Sequence, residues 1–355
     1  MRNGKETQNA GSRQIPTEEQ EASTRRPGGF KIRGVWIYDP RDLDAERTMV
    51  QLKKKGFNAI FVRLSSGGAA YYPSKVMPMA VNSGDQAGIW SKAAKRHGIS
   101  MHAWHVCFMM HNAPQPEMTK VIKRGDAMMD YKGKVLRPSY GAVVRAPAAE
   151  STLDFEKAAM LELATRFEFD GVQFDYIRYP IYSADYSPSA RRRFEQDRGK
   201  RVKNWPSDVR KDAGAAEYQR WKQRVVTGIV RDVSKAVRAA SPGIQISAAV
   251  WCNPTIGRDE FGQDWPAWVR QGYLDFVCPM SYTKSEGNLR KWTRLQKRVV
   301  EGRVPIYPGI GVYMLSKPAQ LNRQIDIVRD EDLPGYVLYN FNARTLNQFF
   351  PYLEN

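Results

Sequence analysis

Asp175 closes an alternating run, Gly171-Val172-Gln173-Phe174-Asp175-Tyr176. On an extended strand, period 2 puts Val172, Phe174 and Tyr176 on one face and Gln173 and Asp175 on the other. A carboxyl group at the last polar position of a buried strand is placed for acid/base or nucleophilic work. Arg63 holds a similar place in Ala59-Ile60-Phe61-Val62-Arg63-Leu64, as does Trp251 at the end of the run from Gln245. Asp39 ends a weaker alternation that starts at Ile32. Two carboxylates, a guanidinium and an indole at strand ends suit a carbohydrate: carboxyl groups act on the acetal and flat rings stack on sugars. The competing reading is that Asp175 and Arg63 form an ion pair that only fills a core.

These residues form one site only if their strands end together. Strand patterns at 32–39, 58–65, 99–108, 169–177, 244–251, 274–280, 304–310 and 336–341 alternate with helical patterns. The helical ones cover 45–55, 84–97, 152–167, 215–239, 263–271, 288–300 and 318–330. The longest of them repeats Val226, Ile229, Val233 and Val237 and stops at Ser241-Pro242-Gly243. Eight β/α units without a linker favour an α/β chain folded as a single (β/α)8 TIM barrel, with insertions after strands 3 and 4, over a doubly wound sheet. Residues 1–29 lack hydrophobic periodicity and read as a disordered polar tail, with the barrel over 30–355. In such a barrel the site lies at the carboxyl ends of the strands.

Composition narrows the function classes. The chain has 355 residues, 55 Lys+Arg against 37 Asp+Glu, and 42% hydrophobic content, which excludes a disordered polyelectrolyte. Residues 190–240 hold 15 Lys/Arg and 6 Asp/Glu, half of the net +18. Such a region can attract an anionic polymer, and Arg191-Arg192-Arg193 is placed to hold an anionic glycan near Asp175. It carries no nucleic-acid motif, so no specific nucleic acid is expected. Cys107, Cys252 and Cys278 are far apart and set in apolar runs, which argues against a disulfide framework. No apolar run approaches the roughly 18 residues of a membrane span, no signal peptide is visible, and a monomer is expected. No cofactor is expected either: Gly67-Gly68 is not followed by Lys-Ser/Thr, Gly309-Ile310-Gly311 lacks a later glycine, and no serine elbow occurs. His102 and His105 point to opposite faces of one strand, which argues against a metal shared with His111.

Phe169-Asp170-Gly171-Val172-Gln173-Phe174-Asp175-Tyr176-Ile177-Arg178-Tyr179-Pro180 closely resembles the Asp-Gly-Ile-His-Phe-Asp-Tyr-Ile-Arg-Tyr-Pro signature of the glycosyl-hydrolase-like family 10 proteins. Arg33-Gly34-Val35-Trp36, His102-Ala103-Trp104, Gln263-Asp264-Trp265 and Asp275-Phe276-Val277-Cys278-Pro279-Met280 agree with it, so that the resemblance spans residues 31–341. It implies a barrel that cleaves glycosidic bonds in bacterial cell-wall or other amino-sugar polysaccharides, and the chain also looks like the barrel half of enzymes that trim poly-N-acetylglucosamine. By motif position it implies Asp175 as the catalytic carboxylate, with Arg178 and Tyr179 lining the site. Relatives are often exported, which implies an extracytoplasmic location.

Hydrolysis calls for a second carboxyl group, about 5 to 5.5 Å away for retention or about 6.5 to 9.5 Å for inversion. Asp39 and Asp264 compete for that role, with Asp259 and Glu260 behind them. Strand six offers Met280-Ser281-Tyr282-Thr283 and no acid, which keeps open a substrate-assisted route and a polysaccharide-binding barrel without catalysis. Arg63, Trp104, Trp251 and Tyr282 are expected to shape sugar subsites, with Gln173, His102 and His105 as further polar contacts. Asn253, Tyr313 and Asn340, at or just beyond strand ends, complete the expected substrate-binding set.

Overall fold

In a computed structural model, which describes residues 31–138, 141–181 and 184–353, eight parallel strands form a nearly closed barrel. They are β1 (Ile32–Ile37), β2 (Ala59–Ser66), β3 (Ser100–Val106), β4 (Gly171–Asp175), β5 (Gln245–Trp251), β6 (Phe276–Met280), β7 (Gly309–Gly311) and β8 (Gly335–Tyr339). Neighbours pair in the order 6-5-4-3-2-1-8-7. The ring continues from β6 to the stretch before β7, where the Val277 N–H donates to the Pro305 carbonyl (3.2 Å) and the Tyr307 N–H to the Val277 carbonyl (3.0 Å). The expected (β/α)8 architecture is therefore present, and the tail expected at 1–29 lies outside the described residues.

Among the described residues ten helices accompany the strands: α1 (Ala45–Lys54), α2 (Gln86–His97), α3 (Gln115–Lys123), α4 (Glu150–Arg166), α5 (Pro188–Arg198), α6 (Asp212–Ala240), α7 (Pro254–Phe261), α8 (Trp265–Arg270), α9 (Glu286–Val300) and α10 (Pro318–Asp330). The apolar stripe read on α6 is buried at Val226, Ile229, Val233 and Val237. Sequence reasoning missed three of the ten, because α3 and α5 lie inside the insertions and the short α7 has little periodicity. After β8, a π-helical turn (Thr345–Phe349) and a 3-10 turn (Phe350–Tyr352) complete the eighth β/α unit. One apolar core runs through barrel and helices, while the insertions carry satellite clusters around Phe194 and Trp221 and around Met110 and Val121. No helix among the described residues is long and apolar enough to cross a membrane.

The lumen is filled in layers, as barrels of this class require. Low in the barrel, His102 stacks on Phe61 (4.7 Å between ring centres) and meets Phe276 edge-on (5.4 Å). Gly171 makes room for it, since a Cβ there would sit 2.1 Å from His102 Nδ1. Above, the Trp36 indole N–H donates to Gln173 Oε1 (2.6 Å), and Gln173 Nε2 donates to Ser247 Oγ (3.2 Å). His102 and Gln173 thus sit beneath the mouth, fully buried.

Burial pushes the His102 pKa down from 6.5 to about 4, against a small opposing pull from Asp170. The unfolded chain binds this proton first, so stability falls as pH drops below about 6.5 and the loss levels off below about 4. The full effect is about 3 kcal/mol. His102→Gln should flatten that part of the pH dependence, read as the difference between urea-unfolding free energies at pH 7 and pH 4.5. Equal slopes in the two proteins would refute the assignment.

Candidate active site

At the carboxyl ends of the strands lies a cavity of about 710 Å³. Asp175, 6% exposed at the tip of β4, faces it and is held on both oxygens. The Trp104 indole N–H donates to Oδ2 (3.0 Å) and the Tyr176 N–H to Oδ1 (2.7 Å). Tyr176 adopts a left-handed backbone, φ +54°, a conformation non-glycine residues rarely take and that clusters at functional sites. Burial pushes the Asp175 carboxyl above its ordinary range, only partly offset by Arg178, these two N–H groups and Arg63.

Asp39 lines the same cavity and behaves oppositely. Burial tends to raise its pKa, but Arg41 more than compensates, helped by the field of Arg63. The Arg41 Nε and Nη2 donate to Oδ1 (2.8 Å) and Oδ2 (2.6 Å), and its backbone N–H donates to Oδ1 (3.1 Å). Asp39 caps the 3-10 turn Pro40–Asp42, which explains why β1 ends earlier than the alternation suggests. One cavity thus holds a carboxyl group biased toward its protonated form and another biased toward its anion.

Aromatic rings wall the cavity. Tyr282 and Tyr339 stack (5.1 Å), Trp104 meets Tyr339 edge-on (6.4 Å), and the Arg63 guanidinium lies 3.6 Å over the Tyr38 ring. A β-bulge between Arg63 and Ser65 re-aims the end of β2. It turns Ser65 away from the lumen, toward His105, and turns Ser66 into the cavity. Ser66 meets His111 Nε2 (3.3 Å), and the His111 pKa is lowered by burial and by Arg63.

The structure brings Asp175, Asp39, Arg63, Trp104, Arg178 and Tyr282 together at this cavity. Trp251 stands behind Arg178, its ring 5.2 Å from the guanidinium. Tyr313 is on the rim, half exposed and edge-on to Tyr282 and Tyr339, and Asn340 lines an adjoining cleft of about 320 Å³ that also touches Tyr38 and Asp39. The others lie elsewhere. Asp264 caps α8, accepting from the Ala267 N–H (3.3 Å), and Asn253 caps α7, accepting from Thr255 (3.0 Å) and Ile256 (3.3 Å). Tyr179 is buried against Gly262 and Lys222.

His105 is on the outer face of β3, where Ser65 Oγ meets Nδ1 (2.6 Å) and Glu156 Oε2 meets Nε2 (2.7 Å). His105, Cys107 and Glu156 have potential ligand atoms within 4.8 Å of one another. Two of these groups already have partners: Glu156 also accepts from the Phe108 N–H (3.0 Å), so His105 and Glu156 tie β2, α4 and the first insertion together. Nor is the triple arginine a free cationic cluster: Arg191 and Arg193 pair with Glu195 (3.0 Å) and Asp197 (2.9 Å) one turn along α5, and Arg192 lies 3.9 Å from Asp126.

Sequence reasoning missed Tyr38, Arg41, Tyr71, His111, Asn112 and Tyr339 as lining residues. Gly67, at φ +63°, was the available signal for two of them: a Cβ there would meet the Asn112 backbone N at 2.7 Å and the His111 ring at 2.8 Å.

Residues 31–327 match the family described as glycosyl hydrolase-like 10. Over 361 aligned residues the chain is 24% identical to the glycosyl hydrolase DigH of Escherichia coli K12, covering 86% of this chain and 79% of that protein. It is 21% identical to the glycosyl hydrolase YngK of Bacillus subtilis, covering 90% of this chain and 69% of that protein. The glycoside hydrolase domain of PgaB (BpsB) from Bordetella bronchiseptica superposes with a TM-score of 0.66 at 17% identity, over 88% of this chain and 94% of that domain. The chain belongs to the glycosyl hydrolase-like 10 family and is a glycoside hydrolase.

Proposed function

We propose that this glycosidase cleaves an amino-sugar polysaccharide of the bacterial surface, of the peptidoglycan glycan-strand or poly-N-acetylglucosamine type. Asp175 serves as general acid and Asp39 as the charged carboxylate opposite it. The observation that carries the mechanism is the pair of opposed pKa directions in one aromatic cavity. Two carboxyl groups pushed apart by their surroundings divide the acid and base roles. Asp175 protonates the leaving oxygen, while Asp39 either attacks the anomeric carbon or activates water, in both cases stabilising an oxocarbenium-like transition state. Lying in this cavity favours Asp39 over the helix-capping Asp264. The motif around Asp175 supports the substrate class.

The test is product analysis by mass spectrometry after incubation with peptide-stripped glycan strands, poly-N-acetylglucosamine and a neutral hexose glucan. Shortened amino-sugar fragments with new reducing ends are expected. Cleavage of the glucan alone would overturn the substrate class. Binding of amino-sugar strands without any cleavage would favour a polysaccharide-binding barrel.

A further inference from the structure

Arg178 is 7% exposed and lines the cavity beside Asp175. Its guanidinium is enclosed by rings, 4.3 Å from that of Tyr176, 5.2 Å from Trp251 and 5.5 Å from Phe261. Its Nε is buried without a hydrogen-bond partner, and among the described residues no carboxylate comes within 4.0 Å of the group. Arg63, 5% exposed on the same cavity, also has a buried Nε without a partner; its Nη2 reaches the Tyr71 hydroxyl (3.2 Å) and lies 4.0 Å from Asp39. A guanidinium carries five donors in a planar fork, and burying them without acceptors is costly. The side of Arg178 not covered by rings is the cavity.

The charge balance agrees. The cavity holds Arg41, Arg63 and Arg178 against two carboxylates, and Arg41 is already engaged by Asp39. With a proton on Asp175, as an acid catalyst requires, positive charge is in clear excess. An uncharged sugar would leave that excess uncompensated.

We infer that Arg178, seconded by Arg63, forms a subsite for a carboxylate carried by a sugar unit adjoining the scissile bond, so that the preferred substrate is an acidic glycan. This deepens the glycosidase reading above and rests on it. A planar guanidinium suits a carboxylate because two parallel N–H···O bonds form at once, which a lysine ammonium cannot reproduce. The carboxylate has two chemical sources, an ether-linked lactate on an amino sugar or the C6 carboxylate of a uronic acid, and the experiment separates them.

Two oligosaccharides of equal length, one with lactyl ethers and one with uronic acids on alternate units, are each compared with their own carboxamide derivative. For the fitting source, wild-type enzyme should prefer acid over amide by about ten- to a hundredfold in kcat/KM, the range of a charged hydrogen-bond pair. Arg178→Gln should reduce that ratio to within about threefold, and Arg178→Lys should keep part of it. The ratio, not the absolute rate, is read. If Arg178 acted only through the charge state of Asp175, Arg178→Gln would shift the pH profile equally for acid and amide and leave the ratio unchanged, which overturns the inference. The same pairs are titrated against Asp175→Asn with and without the Arg178 change. Acid-selective binding by Asp175→Asn, together with no cleavage of either oligosaccharide by wild-type enzyme, would support the subsite while sinking the proposed substrate and mechanism. Equal affinity for acid and amide from both sources would overturn the subsite and leave the hydrolase reading intact.

Discussion

Asp175→Asn is expected to lower kcat/KM on the cleaved glycan by about 10³-fold, with most of the loss in kcat. The substitution keeps shape and size, so the Trp104 and Tyr176 contacts lose one acceptor but the cavity wall stays in place. What disappears is a transferable proton. The pH profile makes the test sharper. Asp175 must be protonated and its pKa is raised, so wild-type activity should decline as pH rises through a value above the ordinary 3.8. Asp39 must be ionised and its pKa is lowered, so the acidic decline should fall below 3.8. The result is a bell whose limbs lie on either side of the ordinary carboxylate value. In Asp175→Asn the alkaline limb should vanish from whatever activity remains. Initial rates from pH 3 to 9 decide this: full activity, or an unmoved alkaline limb, would remove Asp175 from the acid role.

Period 2 made the strand faces legible, because a barrel strand buries one side against helices and the other in the lumen. That is why Gln173, Asp175 and Arg63 could be aimed from the sequence. The reasoning failed where period 2 breaks. The bulge after Arg63 moves Ser65 to the outer face and Ser66 to the inner one, and no residue type announces it. His111, Asn112 and Tyr71 come from loops without a period, so nothing in their spacing points to the cavity. Two errors were avoidable. Asn253 and Asp264 lie one residue before Pro254 and two before Pro266, at the starts of helices, and a short polar residue there with proline in the first turn is a capping signature before it is a ligand. Likewise Arg191 with Glu195 and Arg193 with Asp197 have the i, i+4 spacing of helical ion pairs, so the apparent cationic cluster was already balanced in the sequence.

Asp39→Asn should cost about 10²- to 10³-fold in kcat with little change in folding, because asparagine caps a helical turn as well as aspartate does. The geometry sets a specific question about this residue. The Arg41 clamp holds the carboxylate ionised, yet Arg41 is about a third exposed, so solvent screens the pair and its charge is only partly neutralised. An anion held in this way can stabilise positive charge on the sugar ring whether it attacks the ring directly or works through water. The anomeric configuration of the first-formed product separates the two, since retention makes Asp39 the nucleophile and inversion makes it the base. If instead Asp39→Asn loses less than about fivefold, the attacking group must come from the substrate. Deacetylated glycan then becomes the deciding reagent. An acetamido nucleophile predicts that removing the acetyl groups abolishes turnover in wild type and variant alike, whereas catalysis by Asp39 predicts that wild type still cleaves and the variant does not.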